Sequence, residues 1–222
     1  MAADPTETAA RVARMRRSYE QGGLDEAALA PTWLDQLARW LADAEAAGLV
    51  EPNAMVLATA DAAGRPSART VLLKGLDERG LVLFTNLGSR KGREARATAH
   101  GAIVLPWIAL QRQVVVRGGL EEVAGEEADA YFASRPHGSQ LGALASPQGR
   151  VIASRAVLDE RRAALEAQFP PGTAVPRPAD WGGLRLVPET VEFWQGRPDR
   201  LHDRLHFRRA GGTDWVVERL AP

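Results

Sequence analysis

The sequence contains no cysteine, which excludes a disulfide framework and any metal site built on thiolates. Long apolar runs are also missing: no segment approaches the roughly 18 apolar residues of a membrane-spanning helix, and the N-terminal stretch MAADPTETAARVARM lacks the apolar core of a signal peptide. Lysine plus arginine equals aspartate plus glutamate at 28 each, so no net charge favours nucleic acid or an anionic membrane. The sequence therefore predicts a cytoplasmic protein that binds neither.

Histidine is scarce as well. Of the four histidines only His202 and His206 are close in sequence, and the HExxH pattern of zinc proteases does not occur. We therefore expect no metal site. The 222 residues, 45% of them hydrophobic, suffice for one domain with a substantial core. Small, polar residues at the start predict a disordered tail over residues 1–14, followed by a single domain over residues 15–222.

The middle of the chain has the short β-rich runs and tight turns of an antiparallel sheet. Its connections are too short for helical crossovers, so neighbouring strands should be antiparallel. We predict strands over 54–60, 67–74, 81–85, 101–107, 111–116, 119–123, 183–188, 191–195, 205–209 and 214–220. Helices are predicted over 33–44 behind an N-cap at Thr32, from 90 onwards, over 125–135 and over 154–169. This pattern predicts a mainly β fold with peripheral helices, in which the sheet forms a barrel or closes on itself.

Residues 191–204, VEFWQGRPDRLHDR, carry the densest group of functional side chains. They begin as a strand and then turn at a glycine and a proline. Arg200, His202 and Arg204 follow at alternate positions, so on an extended chain two guanidiniums and one imidazole would point the same way. Such a group binds anions and has one titratable member. An exposed edge strand with solvated charges is the alternative; the flanking Trp194 and the turn favour a site.

A second candidate is the stretch 85–91, TNLGSRK, where a strand ends and a helix begins. Ser89 can cap a helix that starts at Arg90. The free amides and positive dipole end of that helix, together with Arg90 and Lys91, would bind a phosphate. Serine caps and surface basic pairs are common, so this signal is weak alone. The stretch is neither a Walker loop nor GxGxxG, which gives ATP and Rossmann dinucleotide binding little support.

Two further groups of polar residues remain ambiguous. Arg69 and Lys74 bracket the apolar run RTVLLK and should face opposite ways, unless one of them lies at a strand end or a bulge. Tyr131 and Arg135 share a helix face, with Ser139 just beyond. An aromatic ring, a guanidinium and a hydroxyl suit a phosphorylated ring compound, but ordinary surface packing explains the same spacing.

The motif EFWQ is followed, after four residues, by RLHDR. This spacing resembles the C-terminal signature of the pyridoxamine 5'-phosphate oxidase family, whose members are FMN enzymes of vitamin B6 metabolism. Further motifs of that family occur in the same order: MRRSYEQGGL, RTVLLKG, FTNLGSRK, PW with LQRQV, YFASRP with SQLGALAS, and ERLAP. They extend from about Met15 to Pro222, and several separate motifs are more specific than one. The resemblance implies a single FMN-binding split-barrel oxidase domain that forms a homodimer, with each flavin at the subunit interface.

The resemblance also implies which residues contact the ligands. The FMN contacts fall on Arg69, Thr70, Val71, Leu72, Leu73, Lys74, Phe84, Thr85, Arg90, Lys91, Gln113, Gln148, Gly149, Trp194 and Arg204. The substrate contacts fall on Arg16, Tyr19, Lys74, Tyr131, Arg135, Ser139, Arg200 and His202. Among these, Arg16 and Tyr19 form a mobile lid, and Arg200 and His202 are the catalytic pair. The chain departs from the family with Phe84 for tyrosine, Gly149 for serine and Ser18 for an acidic residue; none of these changes removes a phosphate anchor.

The activity implied by the resemblance is oxidation of pyridoxamine 5'-phosphate or pyridoxine 5'-phosphate to pyridoxal 5'-phosphate, with O2 reduced to H2O2. Two alternatives stay open. One is another flavin- or deazaflavin-dependent reductase of the split-barrel group, which would need neither RLHDR nor the cluster from Tyr131 to Ser139. The other is a non-catalytic binder of FMN or pyridoxal phosphate, which composition does not exclude.

Overall fold

The computed structural model of the chain describes residue 9, residues 11–15 and residues 18–222. A nine-stranded antiparallel sheet dominates this part of the chain. Its strands are β1 (Ala54–Ala60), β2 (Pro66–Leu72), β3 (Gly75–Asp77), β4 (Gly80–Asn86), β5 (His100–Trp107), β6 (Arg112–Glu122), β7 (Trp181–Gln195), β8 (Asp203–Gly211) and β9 (Asp214–Arg219).

Helices lie around the sheet: α1 (Trp33–Ala46), α2 (Arg90–Thr98), α3 (Gly125–Ser134), α4 (His137–Ala145) and α5 (Ala156–Gln168). Short 3-10 turns occur at Glu26–Ala28, Ile108–Leu110 and Pro198–Arg200. None of the helices described has the length and apolar character needed to cross a bilayer. The tail predicted over residues 1–14 falls largely outside the described residues and stays a prediction, although residues 11–13 are helical.

The strand order is β2-β1-β5-β6-β7-β4-β3, and β8 and β9 continue from β7. Every ladder is antiparallel, as the short connections predicted. Among the strands described, no ladder joins β2 to β3, so the sheet curves without closing. This confirms the mainly β fold class and the split barrel, whereas the closed sheet is wrong.

Strand β7 is the longest strand, with 15 residues, and it is the centre of the sheet. Its first half pairs with β4, its second half with β8, and most of its length with β6. The sequence predicted two strands within β7 and two within β6, and both divisions are wrong. A register shift between Arg117 and Gly118 lets the ladder pass Pro188, which has no N–H to donate. A Cβ atom on Gly118 would lie 1.9 Å from the carbonyl oxygen of Val187, so only glycine fits this close approach.

Helix α1 covers one side of the barrel and completes its core. The Thr32 hydroxyl accepts a hydrogen bond from the backbone N–H of Asp35 at 3.1 Å, which is the predicted N-cap. The apolar stripe of the helix packs Leu37 and Trp40 onto the sheet, where Trp40 meets Phe193 of β7 edge to face at 5.3 Å. The buried faces of β1, β4, β5, β6, β7 and β8 supply most of the rest of this core.

The region after β6 contains one helix more than predicted. Pro136 ends the predicted helix, as expected, but a second helix, α4, begins directly after it at His137. Proline is tolerated here because it occupies the N-cap position, where no intrahelical N–H is needed. The α3–α4 corner brings Tyr131, Arg135 and Ser139 to one side of the molecule, beside the ends of β2 and β4.

Candidate functional site

A cavity of about 530 Å³ opens where β2, the end of β4, the start of α2 and the α3–α4 corner meet. We call it the cationic cavity. Its lining contains four basic residues and no carboxylate among the residues that the structure describes. The lining residues are Arg69, Thr70, Val71, Leu72, Lys74, Phe84, Thr85, Lys91, Tyr131, Arg135, Pro136, Ser139, Gln148 and Trp181.

Lys74 and Arg69 reach the same cavity because β2 ends between them. The strand stops at Leu72, and the backbone N–H of Lys74 then bonds to the carbonyl of Val82 rather than continuing the ladder with β1. This is the strand-end case that the spacing left open. Leu73 instead turns into the core, where it is buried, and it does not line the cavity.

Two half-buried cations of this cavity have no anionic partner among the described residues. The Lys91 ammonium donates to three neutral acceptors: Thr85 Oγ1 at 3.0 Å, Ser89 Oγ at 3.1 Å and Gln148 Oε1 at 2.7 Å. Burial and the nearby Arg69 guanidinium lower the pKa of Lys91. Burial likewise lowers the pKa of Arg135, and its Nη1 is buried without a hydrogen-bond partner in the described part of the chain. An anion entering the cavity would satisfy both groups.

The N-terminus of α2 faces the loop that carries Gln148 and Gly149. Ser89 is the N-cap residue, but its side chain makes no capping hydrogen bond and accepts one from Lys91 instead. The prediction that this hydroxyl caps the helix is therefore wrong. The first backbone amides of the helix have no side-chain cap from Ser89. Gly149 has a φ of +81°, which a serine would adopt only under strain. This backbone conformation explains why glycine stands at this position.

Arg90 does not join the cationic cavity. Its side chain turns the other way along α2 and donates from Nε to Glu94 Oε1 at 2.7 Å. It lines a neighbouring depression with Arg65 and Arg93. Of the basic pair at the start of this helix, only Lys91 points into the cavity.

Glu94 is a buried residue near the site that the sequence analysis did not single out. Its carboxylate accepts hydrogen bonds from Thr59, Ser67 and Arg90, and Arg69 Nη2 lies 3.4 Å away. Burial raises the pKa of a carboxyl group, but these hydrogen bonds outweigh it and lower the pKa of Glu94 to about 2. Glu94 therefore ties β1 and β2 to α2. The four-residue spacing from Arg90 was the one signal for it in the sequence.

A second group of predicted residues lies on β6, β7 and β8. Gln113 is paired with Trp194 across β6 and β7, and Trp194 is paired with Arg204 across β7 and β8. Directly paired residues share a face of a sheet, so the three side chains form one row, although 91 residues separate the first from the last. None of them lines the cationic cavity.

Trp194, the middle residue of this row, lines a pocket of about 750 Å³, which we call the aromatic pocket. The His202 ring lies 4.6 Å from the Trp194 ring and 5.7 Å from the Tyr19 ring, measured between centroids. The described residues that line the pocket are Met15, Ser18, Tyr19, Trp194, Arg197, Asp199, Arg200 and His202. Arg16, the other predicted lid residue, lies outside the described residues.

Arg200, His202 and Arg204 do not alternate along one strand, so that expectation is wrong. The chain turns through a 3-10 turn, in which Asp199 and Arg200 have positive φ values of 56° and 64°, and β8 begins only at Asp203. Arg200 and His202 line the aromatic pocket. The Arg204 guanidinium instead makes two hydrogen bonds to the Glu192 carboxylate, from Nε at 2.8 Å and from Nη2 at 3.0 Å. A proline and two left-handed residues break the extended chain that the alternation assumed.

We expect Glu94→Gln to lower the free energy of unfolding by about 1 to 3 kcal/mol at pH 7, because the amide cannot hold the charge between two guanidiniums. The folded-state pKa of Glu94 is lowered from its usual 4.5 to about 2, so its contribution is complete above pH 4.5 and is lost as the pH falls towards 2. Urea unfolding of both proteins between pH 7 and 3 should therefore show a difference that shrinks in acid.

The matched control is Glu166→Gln, which removes an exposed pair with Arg162 at the same four-residue spacing in α5. That change should cost less than about 0.5 kcal/mol. A stability difference between wild type and Glu94→Gln that stays constant from pH 7 to 3 would contradict the charge argument.

The chain is similar over most of its length to known proteins. A family model described as pyridoxamine 5'-phosphate oxidase matches residues 41–168, and one described as the pyridoxine 5'-phosphate oxidase C-terminal dimerisation region matches residues 181–222. Proteins named pyridoxine/pyridoxamine 5'-phosphate oxidase from Frankia alni and Salinispora arenicola are 59% and 56% identical to it. They cover 95% of this chain in each case, and the matches span 88% and 96% of the relatives.

Among solved structures, PhzG from Burkholderia lata 383, determined with tetrahydrophenazine-1-carboxylic acid, is 35% identical, with a TM-score of 0.80 over 90% of this chain and 100% of that one. A pyridoxamine 5'-phosphate oxidase-related, FMN binding protein from Nostoc punctiforme, 20% identical, has the same fold, with a TM-score of 0.70 over 88% of this chain and 100% of that one. The family match covers more than half of the chain and agrees with relatives of high identity over nearly all of it. The chain therefore belongs to the pyridoxamine 5'-phosphate oxidase family.

Proposed function

We propose that the chain is an FMN-dependent oxidase that converts pyridoxine 5'-phosphate and pyridoxamine 5'-phosphate to pyridoxal 5'-phosphate in the cytoplasm, with O2 reduced to H2O2. The observation that carries the proposal is the cationic cavity, which gathers Lys74, Lys91 and Arg135 without a carboxylate among its described lining residues. This reaction requires two phosphates to be bound, one of the cofactor and one of the substrate. Several cations without an anion suit that task.

The α2 side of the cavity fits the phosphate of FMN. Lys91 lies there with neutral partners only, next to the amides at the helix N-terminus. Arg69, Thr85 and Gln148 complete this side, and a cavity of about 530 Å³ lies in the range of ligand pockets. When bound, FMN supplies the group that accepts a hydride from the substrate.

The α3–α4 side fits the phosphate of the substrate. Arg135 presents a buried Nη1 that has no partner within the described residues, and Lys74, Tyr131 and Ser139 line the same cavity. These four groups would fix one end of the substrate, so that its reacting carbon is presented at a constant place. A substrate without the phosphate would lose this anchor.

The aromatic pocket supplies the catalytic pair of the proposal. His202 Nδ1 accepts a hydrogen bond from the backbone N–H of Arg197 at 3.1 Å, so the neutral ring carries its proton on Nε2. That N–H would donate to the polar substituents of the vitamin ring and help move a proton. Arg200, which lies in the strained turn, would contact the vitamin ring, and Tyr19 would cover that ring.

We infer that the two halves of the site come from two copies of the chain. Trp181 lines the cationic cavity and Trp194 lines the aromatic pocket, and they stand at opposite ends of β7. At roughly 3.3 Å per residue they lie about 40 Å apart along the strand, which is far longer than one flavin nucleotide. The aromatic pocket of a second copy, placed over the cationic cavity of the first, would complete the site. The match of residues 181–222 to a dimerisation region supports this arrangement.

Anaerobic mixing with pyridoxine 5'-phosphate tests the proposal. The FMN-loaded protein should lose its absorbance near 450 nm, because the substrate reduces the flavin, and should regain it when air is admitted with formation of pyridoxal 5'-phosphate. Bleaching by a reduced nicotinamide but by neither phosphorylated vitamer would favour the reductase alternative. A spectrum that no donor changes would favour a binding protein.

Substitutions of two arginines within residues 191–204 should impair the enzyme in different ways. Arg200→Leu should lower turnover at least about tenfold while FMN stays bound, because the residue faces the substrate. Arg204→Gln should raise the Kd for FMN about tenfold, which corresponds to about 1.4 kcal/mol, while its amide still bonds to Glu192. FMN titration of the apoprotein and steady-state kinetics at saturating FMN separate the two effects.

Arg208→Gln is the matched control, since Arg208 lies four residues beyond Arg204 in β8 and pairs with Glu218 at the surface. Neither turnover nor FMN affinity should change in this variant. Full turnover in Arg200→Leu would remove Arg200 from the chemistry, and an unchanged Kd in Arg204→Gln would remove Arg204 from the cofactor site.

A further inference from the structure

Three aromatic rings in the wall of the cationic cavity are nearly parallel. Phe84 and Tyr131 stack with centroids 4.0 Å apart and planes at 10°, and Trp181 lies 5.5 Å from Phe84 at 7°. The three residues come from β4, α3 and β7, so their alignment is a tertiary feature. Trp181 belongs to none of the motifs that the sequence analysis singled out. We call this group the aromatic stack.

The guanidinium of Arg135 lies over the Trp181 ring, with its central carbon 5.0 Å from the ring centroid. It is also 5.6 Å from the Phe132 ring. Burial lowers the pKa of Arg135, and Nη1 has no hydrogen-bond partner in the described part of the chain. Aromatic faces therefore provide the main compensation for burying this cation. The aromatic rings hold the guanidinium without occupying its N–H donors, whereas an ion pair would occupy them.

Trp181 itself is firmly held. Its side chain is buried, and Phe132 meets its ring edge to face at 5.0 Å. The backbone N–H bonds to the carbonyl of Pro178 at 3.0 Å, and the carbonyl accepts from Arg177 Nη1 at 2.5 Å. As the first residue of β7, it is also paired with Asn86 of β4. A ring fixed on this many sides determines where its neighbours can lie.

We propose that Trp181 is a positioning residue for the phosphate end of the substrate. It touches neither the reacting carbon nor the flavin; it acts through Arg135, whose guanidinium it supports, and through the stack that aligns Tyr131. Its ring keeps the free donors of Arg135 pointed at the place where a phosphate dianion would bind. The inference rests on the proposed function, because it assumes that this side of the cavity receives the substrate phosphate.

The test compares Trp181→Leu and Trp181→Phe with the wild type as FMN-saturated enzymes. Trp181→Leu removes the aromatic face, so the KM for pyridoxine 5'-phosphate and the inhibition constant of inorganic phosphate should both rise about tenfold. The kcat should change by less than about threefold, because the residues that face the reacting carbon are untouched. Trp181→Phe keeps a smaller aromatic face and should fall between the two, which a loss of folding would not produce.

Trp215→Leu is the matched control, because Trp215 lies under the guanidinium of Arg209 at 5.3 Å, in β9 and outside both parts of the proposed site. It should leave the KM and the phosphate inhibition constant unchanged. Unchanged values of both constants in Trp181→Leu, or a fall in kcat with constant KM, would overturn the proposal. If Trp181→Leu does not fold, Trp181→Phe alone decides: a wild-type KM in that variant counts against the role.

Equilibrium binding separates this inference from the proposed function. Pyridoxal 5'-phosphate can be titrated into the FMN-loaded protein and followed by absorbance, without any turnover. Weaker binding in Trp181→Leu than in the wild type supports the positioning role even if the oxidase assay is negative. Equal binding in the two proteins rejects it, whatever the oxidase assay shows.

Discussion

Strand β7 is the constraint on which the rest of the molecule depends. Three neighbouring strands pair with it, so its 15 residues cannot bend far or slide, and the register shift opposite Pro188 keeps the ladder continuous through the middle. Its first residue, Trp181, lines the cationic cavity, and its penultimate residue, Trp194, lines the aromatic pocket. A rigid strand therefore holds two halves of one proposed site too far apart to meet within one copy. Under the proposed function, dimerisation is a condition for catalysis.

The charges around the cavity divide into satisfied and unsatisfied groups. Glu94 pairs with Arg69 and Arg90 where β1, β2 and α2 meet, and hydrogen bonds lower the pKa of its buried carboxyl group to about 2. Lys91 donates only to neutral acceptors, and Arg135 lies against aromatic rings. The first arrangement stabilises the fold, and the second reserves cations for phosphates. Keeping a buried cation unpaired costs free energy that an ion pair would recover, which fits a functional rather than a structural role.

Much of this could be predicted from the sequence. Alternating patterns and short connections predicted the antiparallel sheet, and β1 agrees residue for residue. The helical spacing of Tyr131 and Arg135, with Ser139 just beyond, indicated a shared face, and all three residues line the cationic cavity. Local patterns failed where a tertiary contact decides. The bulge opposite Pro188 joins what look like two strands, and the left-handed residues Asp199 and Arg200 turn a stretch that reads as extended.

Residues that act through others were the hardest to find. Glu94 and Trp181 support side chains of the cavity that come from other elements. The spacing of Glu94 from Arg90 was its one signal in the sequence, and nothing near Trp181 distinguishes it from a core aromatic. The row of Gln113, Trp194 and Arg204 depends on strand register across β6, β7 and β8. Register follows from the whole sheet, so only the resemblance to a family could connect these three residues in advance.

The central claim is that each site is built from two copies of the chain, and mixed dimers test it most directly. Arg135→Leu impairs the cationic cavity and Arg200→Leu the aromatic pocket, so each homodimer should keep at most about a tenth of the wild-type activity. In a heterodimer of the two variants, one site carries both changes and the other carries none. After subunit exchange of an equal mixture, about a quarter of the wild-type activity should return, because half of the dimers are mixed and each has one intact site. A mixture that stays inactive after verified exchange would contradict the account.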